Sequence, residues 1–352
     1  MKALFRILIV ATVIGIVFYY WAAGNEHVPL EGPNTVQQAI PSEQYINDYK
    51  EVLSRPAAGI STVIGQPVGM LIQSYGEPRR VDASAFGYEW WVYEQAMFGI
   101  EQGKVIQVYT NSADVDVSPY KIGQSIEEIY RMTILDAEVS VTIGDNIYMF
   151  TMSEEDTKNR LLAKFDTLYA QLYIDREEGE LAGIRFTDGK TLVLHQPYEM
   201  QFVGELIGKE TPSSFQQFEI NEASAEQFFE LTNVYREKYG VAQLLPSEQL
   251  NNTAMTHSED MFLQDFVSHD SPTYGSLEKR LEANLVSYEE ANENVAMAYY
   301  DAIETVHGLL NSSDHREIML DDIYTHGGTG AYYDYYTQIF IKKSIQEESG
   351  LQ

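Results

Sequence analysis

The chain contains no cysteine. Disulfides, thiolate metal sites and a cysteine nucleophile are therefore excluded, and its domains must be held by packing alone. Basic residues are scarce, 23 Lys and Arg against 53 Asp and Glu, for a formal net charge of −30. A surface so acidic repels nucleic acid and anionic headgroups, whose binding depends on clustered Lys and Arg, so no nucleic-acid partner is expected. Long apolar runs are also nearly missing. The exception is Ile7 to Ala23, uncharged throughout and preceded by Lys2 and Arg6. It is close to the length that crosses a bilayer, and Phe18, Tyr19, Tyr20 and Trp21 form an aromatic belt at its outer end. Residues 1–24 are thus expected to be a transmembrane anchor or a signal peptide, with Ala22-Ala23-Gly24 offering a cleavage site and length favouring the anchor. In either case the rest of the chain lies outside the cytoplasm, membrane-anchored or secreted.

What is present is a globular composition, 44% hydrophobic and 12% aromatic, with 25 tyrosines suited to half-buried faces. At 352 residues more than one domain is expected. Residues 25–57 are polar with scattered Pro and Gly and read as a linker, with one short helix around Tyr45–Leu53. Residues 58–204 read as an α+β domain with an internal repeat. Ile64-Gly65-Gln66-Pro67-Val68 and its helical continuation correspond to Ile122-Gly123-Gln124-Ser125-Ile126 and its own. An aromatic strand follows each, Tyr88–Tyr93 and Asn146–Phe150, and then a hairpin turning at Gly103 or Gly179. The reading pairs one helix with three strands in each unit. Trp90 and Trp91, adjacent on a strand, face opposite sides, one to the core and one free to line a groove. His195, after a strand Thr191–Leu194, is expected to be structural.

A connector from Glu205 to Glu219 leads to a C-terminal domain over residues 220–345. Phe228, Leu231, Val234, Tyr235 and Tyr239 recur at helical spacing, as do Leu250, Ala254, His257, Met261 and Phe262, and Ala302, Val306, Leu309 and Leu310. Strands Gly328–Tyr333 and Tyr336–Ile341 close the chain. Helices first and an antiparallel sheet last predict an α–β–α layered domain.

Three groups in this domain carry chemistry. His269 lies in Phe266-Val267-Ser268-His269, Glu293 in Asn292-Glu293-Asn294, and His315 in Ser312-Ser313-Asp314-His315, at intervals of 24 and 22 residues. Each sits in a polar turn beside an apolar segment, where one fold can gather them. Two histidines and a carboxylate suit Zn²⁺ or another divalent metal, with a position left for water, His269 and His315 being the first candidate ligands. The i, i+4 histidine pair of many zinc hydrolases is absent. Without metal, Glu293 could orient an imidazole as general base. The bland reading is a hydrogen-bonded network that pins loops to the core. Ser268 and Ser312 are neighbours of these histidines but read as caps, and His257 as a structural histidine on a helix. His307 and His326 have no spacing that identifies a role.

Several ordered motifs resemble the CAP superfamily of cysteine-rich secretory proteins, antigen 5 and pathogenesis-related proteins, and specifically its bacterial extracellular branch. They are Asn233-Val234-Tyr235-Arg236, His257-Ser258-Glu259-Asp260-Met261, Phe266-Val267-Ser268-His269, Tyr274-Gly275, Glu293-Asn294-Val295-Ala296, His315-Arg316-Glu317-Ile318-Met319 and Thr337-Gln338-Ile339-Phe340. The region from Ile60 to Met200 is similar to the CAP-associated N-terminal domain. The resemblance implies a CAP-type α–β–α sandwich with a shallow cleft faced by His269, Glu293 and His315. It departs from the family at Leu309, where bacterial members carry Trp, and at Asp314, where they carry Gly. The family's second glutamate has no counterpart; Ser312 lies near its place and Glu304 a turn or two before. The chain is accordingly expected to be a cell-surface binding module for a small ligand, lipid, peptide or wall fragment. The alternatives are a metal-assisted peptidase or wall hydrolase using the same cleft, and a structural partner-binding protein. The membrane partner is reached through the N-terminal segment.

Overall fold

The computed structural model describes residues 28–44, 53–133 and 135–343. The apolar run from Ile7 to Ala23, and nearly all of the helix expected around Tyr45–Leu53, lie outside the described residues. Among the described residues no helix is long and apolar enough to cross a membrane.

Two short strands, β1 (Leu30–Glu31) and β2 (Gln37–Ala39), come first. The N-terminal domain then runs α1 (Val68–Tyr75), β3 (Arg80–Ala83), β4 (Glu89–Val92), β5 (Met97–Glu101) and β6 (Lys104–Thr110). Its second half is α2 (Ile126–Met132), β7 (Glu138–Ile143), β8 (Asn146–Thr151), α3 (Asp156–Asn159), β9 (Arg160–Phe165), β10 (Leu168–Asp175), β11 (Glu180–Asp188), α4 (Gly189–His195) and β12 (Glu199–Val203). Seven strands form one sheet in the order β3-β4-β5-β6-β11-β10-β9, and four form another, β2-β12-β8-β7.

The repeat is visible atom by atom. Gly65 N–H donates to the Val105 carbonyl, Val105 N–H to Gln66, and Val68 N–H to Gly103. In the second unit Gly123 N–H donates to Leu181, Leu181 N–H to Gln124, and Ile126 N–H to Gly179. Each Ile-Gly-Gln segment is thus clipped to its own hairpin, and β6 and β11 pair at the centre of the sheet. The strand correspondence differs from the sequence reading. By position in the sheet, β9 is the partner of the tryptophan strand β4, each flanking the first strand of its hairpin. Strand β8, the expected counterpart, belongs to the smaller sheet, because β7, β8 and α3 are additional to the first unit's pattern. A second correction concerns Thr191–Leu194, which is helical within α4. The Asp188 side chain accepts from Thr191 N–H at 2.8 Å and starts a helix in a run that hydrophobicity alone reads as a strand.

The C-terminal domain comprises α5 (Ser214–Lys238), β13 (Leu245–Pro246), α6 (Glu248–Gln264), α7 (Leu277–Ala283), β14 (Tyr288–Met297), α8 (Ala302–Leu310), α9 (Ser313–Leu320), β15 (His326–Tyr332) and β16 (Tyr335–Lys343). Helix α5 begins inside the expected connector. Ser213 and Gln216 form a capping box, a Ser-x-x-Gln signal that places the start before Ile220. The sheet order is β1-β14-β16-β15-β13. Helix α6 covers one face so closely that a Cβ at Gly330 would lie 2.2 Å from the Met255 nitrogen. Helices α5, α8 and α9 build the core on the other face with Phe228, Val306, Leu309, Met319 and Phe340. This is the expected α–β–α sandwich in an α+β chain.

The polar N-terminal segment does more than span. Leu30–Glu31 adds a parallel edge strand to the C-terminal sheet, against Ala296 and Met297. Gln37–Ala39 does the same for the smaller N-terminal sheet, against Met200–Phe202. The domains also share one apolar cluster, with Trp90, Tyr109 and Tyr173 packed with Tyr235, Val306 and Leu309.

Candidate functional site

The loop bearing His269 is built from below by α6. Asp260, buried on that helix, accepts from Ser271 Oγ at 2.6 Å and from Thr273 Oγ1 at 3.0 Å. Ser271 Oγ in turn accepts from the N–H groups of Thr273 and Tyr274. The ring of His257, one turn earlier on α6 and fully buried, is 2.9 Å from the Ser268 carbonyl through Nε2. Burial, reinforced by the nearby Arg280 charge, lowers its pKa to about 4, so it is neutral and donates that hydrogen bond. Ser268 behaves as read from sequence: its hydroxyl accepts from Asp270 N–H and closes the turn.

His269 emerges from this loop with its side chain about one quarter exposed (26%) and Nδ1 3.1 Å from Glu293 Oε1. Arg280 completes the group. Its Nη2 donates to Glu293 Oε1 at 2.7 Å and to the His269 carbonyl at 2.8 Å. Burial alone would raise the Glu293 carboxyl, but the His269 hydrogen bond and the Arg280 charge outweigh it and hold the group below the ordinary carboxylate range. Five polar atoms here have no hydrogen-bond partner among the described residues: His257 Nδ1, His269 Nε2, Arg280 Nε and Nη1, and Glu293 Oε2.

His315 is placed differently. Glu293 and its neighbour Asn294 leave β14 on opposite faces, and Asn294 Nδ2 donates to the His315 carbonyl at 3.0 Å. The imidazole of His315 is buried on α9, with Nδ1 2.8 Å from Ser312 Oγ. Of the expected trio, His269 and Glu293 are in direct contact, while the His315 imidazole contacts Ser312. Ser312 occupies the N-cap position of α9 but makes no side-chain cap, against the reading of it as a plain cap. Sequence reasoning misses Arg280, although Leu277, Arg280 and Leu281 at i, i+3 and i+4 put it on the apolar face of α7, where a charge must have a partner.

The candidate ligands for a divalent metal are His269 and His315, with Glu293 as the carboxylate. No group of three or more His, Asp or Glu side chains is arranged to hold one among the described residues. The carboxylate that would anchor it is already paired to a buried guanidinium, whose charge opposes a second cation. Chemically, the pair orients His269 as a Glu-held imidazole. The nearby Ser271 hydroxyl is committed to Asp260.

Glu304 and His307, on α8, face the N-terminal domain. Glu304 accepts from Tyr173 at 2.7 Å and Tyr300 at 2.9 Å and is 3.1 Å from Arg160 Nη1. The preceding Asp301 pairs with buried Arg185 at 2.7 Å. His307 Nε2 is 3.0 Å from Tyr109 Oη, and its ring stacks on Tyr173 at 4.1 Å. His195 is also buried at this junction, 3.1 Å from Tyr88 Oη. His326, beside Thr325 at 2.9 Å, lies at the start of β15 away from this network. Trp90 is core and Trp91 half-buried on the opposite face.

Residues 64–198 match the CAP-associated N-terminal domain and residues 229–341 the cysteine-rich secretory protein family. The chain is 36% identical over 349 residues, 97% of its length and 100% of the relative's, to the uncharacterized membrane protein YlbC of Bacillus subtilis. It is 35% identical over 229 residues, 63% of its length and 86% of the relative's, to the uncharacterized protein YkwD of the same organism. Among solved structures it is similar to an extracellular protein containing an SCP domain from Bacillus anthracis. That match has a TM-score of 0.78, 34% identity, and covers 85% of this chain and 100% of that one. A cysteine-rich secretory protein from Staphylococcus aureus matches with a TM-score of 0.74 and 26% identity over 90% of this chain and 99% of that one. With the fold, the ordered motifs and these relatives in agreement, the chain belongs to the bacterial CAP family and carries a CAP-associated N-terminal domain ahead of its CAP domain.

Proposed function

We propose that this chain is an extracytoplasmic, membrane-attached binding protein whose CAP cleft at His269 and Glu293 takes a small polar ligand, such as a peptide or wall fragment. The location rests on the apolar run from Ile7 to Ala23, on the name of its membrane-protein relative and on that of the extracellular structural relative. The observation that carries the binding reading is the set of five unpartnered polar atoms around the His269–Glu293–Arg280 group. Buried donors and acceptors are almost always satisfied, by protein groups, ordered water or a bound polar molecule. Hydrolysis needs in addition a nucleophile or a positioned water beside His269.

A hydrolase is favoured by one observation, the 2.8 Å contact of Ser312 Oγ with His315 Nδ1. That contact joins two side chains and caps no backbone N–H of α9, and Ser312, placed between two helices, lacks the strand-to-helix elbow of a serine nucleophile.

The test is calorimetric titration of the purified full-length protein with soluble muropeptides, followed by mass analysis of the recovered ligand. Saturable binding that is lost in His269→Ala, with intact muropeptides, is the expected result. Cleavage that disappears in His269→Ala, or stoichiometric Zn²⁺ uptake lost in a folded His269→Ala/His315→Ala variant, would replace this reading with the metal-assisted hydrolase. Binding unchanged in His269→Ala would remove the cleft from the account.

A further inference from the structure

A second cavity, of about 320 Å³, lies between the two domains and beneath the N-terminal strap, bounded by Leu30–Thr35, by α3 and by α8. His269, Glu293, Arg280 and His315 are not among its lining residues. Its volume is at the lower end of small-molecule pockets.

The charge balance of the wall is one-sided. Inside, one guanidinium, Arg160, is shared by two buried carboxylates, Asp156 at 2.7 Å and Glu304 at 3.1 Å, which leaves the interior one negative charge in excess. Glu31, Glu155 and Glu199 add carboxylates towards the surface, Glu155 being paired to Arg176 at 2.7 Å. No cation of the wall offsets the rest: His307 also lines it, and burial, with the Arg185 charge, holds that ring neutral. Tyr173 and Tyr299 supply aromatic surface.

The second observation is independent of charge. Arg160 is only 7% exposed, yet its Nη2 has no hydrogen-bond partner among the described residues, and neither have Asn159 Oδ1 and His307 Nδ1 in the same wall. A buried guanidinium N–H without an acceptor costs more than a typical hydrogen bond is worth. The wall therefore asks for an acceptor at Arg160 and a donor at Asn159, within an anionic, aromatic enclosure.

We infer that this interdomain cavity is a binding site for a small primary amine carrying a neighbouring carbonyl or hydroxyl oxygen, such as an amino-acid amide or amino alcohol. The ammonium is held by Glu304, Asn159 Oδ1 and the tyrosine faces, and the oxygen accepts from Arg160 Nη2. The strap closes over the ligand, so occupancy joins the N-terminal segment and both domains.

The test is isothermal titration of the full-length protein with glycinamide, using acetamide as the uncharged analogue of similar size. Glycinamide should bind saturably and raise the unfolding midpoint, whereas acetamide should do neither. Asn159→Ala, at a half-buried position, should weaken glycinamide about tenfold by removing a hydrogen bond to a charged group, with an unchanged unfolding midpoint in ligand-free buffer. Glu304→Gln should weaken it at least as much. Equal binding of acetamide, no saturable glycinamide binding, or binding untouched by Asn159→Ala but lost in His269→Ala would each overturn the proposal.

Discussion

Arg280 is the residue on which the His269–Glu293 pair depends. Glu293 is ionised in a buried place only because a guanidinium 2.7 Å away and the His269 ring compensate it. Removing one partner of such a pair leaves an uncompensated charge, whereas replacing both partners with apolar groups can be close to neutral. Arg280→Met is therefore expected to cost about 3–5 kcal/mol in urea unfolding, and Arg280→Met/Glu293→Leu much less than the sum of the two single changes. A loss in Arg280→Met below about 1 kcal/mol would mean that water already screens Glu293 as at an exposed ion pair. The same residue shows why the site is only partly legible in the sequence. His269 and Glu293 stand out because imidazole and carboxylate carry chemistry wherever they occur. Arg280 sits in Leu277-Glu278-Lys279-Arg280, a stretch whose charge reads as a solvated helix face, and only its helical phase points inward. That Glu293 pairs with His269 while its neighbour Asn294 holds the His315 backbone comes from strand alternation that motif spacing cannot convey.

Elements are most legible where periodicity and turn chemistry agree. The repeat is the clearest case, since each Ile-Gly-Gln segment makes the corresponding backbone bonds to its own hairpin turn. Gly103 and Gly179 have φ of +74° and +66°, and a Cβ at either would meet nothing within 4 Å. Ala at either position should therefore cost only the backbone conformation, about 1 kcal/mol, and the two costs should be nearly equal and additive in thermal unfolding. A several-fold difference between them would show that the two turns are not mechanically equivalent. Elements are least legible where tertiary burial overrides local pattern. Helix α4 reads as a strand because Thr-Leu-Val-Leu is β-prone, and the Asp188 cap decides otherwise. Helix α8 is apolar enough to be recognised, but its polar residues Glu304 and His307 look solvent-facing until a second domain covers them. Their partners Arg160, Tyr173 and Tyr109 are over a hundred residues away in sequence, beyond the reach of any local rule.

For the whole molecule, three histidines buried in neutral form tie stability to pH. His257 lies under the loop that carries His269, while His195 and His307 come from different domains and are both buried at their junction. Burial lowers all three, His257 to about 4 and His195 and His307 well below their ordinary value, aided in each case by a nearby arginine charge. As the pH falls below the ordinary value of 6.5, the unfolded chain takes up protons that the folded chain cannot. The unfolded state then binds more protons, so stability rises with pH across this window and is lost on acidification. For His257 alone the difference between 6.5 and about 4 corresponds to roughly 3 kcal/mol, fully lost only near pH 4. Glu293, held below the carboxylate range, acts in the same direction at still lower pH, its contribution fading as it protonates. The fall between pH 7.5 and 5 should therefore be steep and should begin near the ordinary histidine value. Because His195 and His307 sit at the junction, the loss belongs to both domains together, so one cooperative urea transition should move to lower midpoint. Replacing His307 with the non-titrating Gln should make that shift shallower whatever it does to the midpoint at pH 7.5. A midpoint constant from pH 7.5 to 5 in the unmodified protein would show that these imidazoles are charged or solvated, and that the domain junction is looser than the packing of Tyr173 on His307 implies.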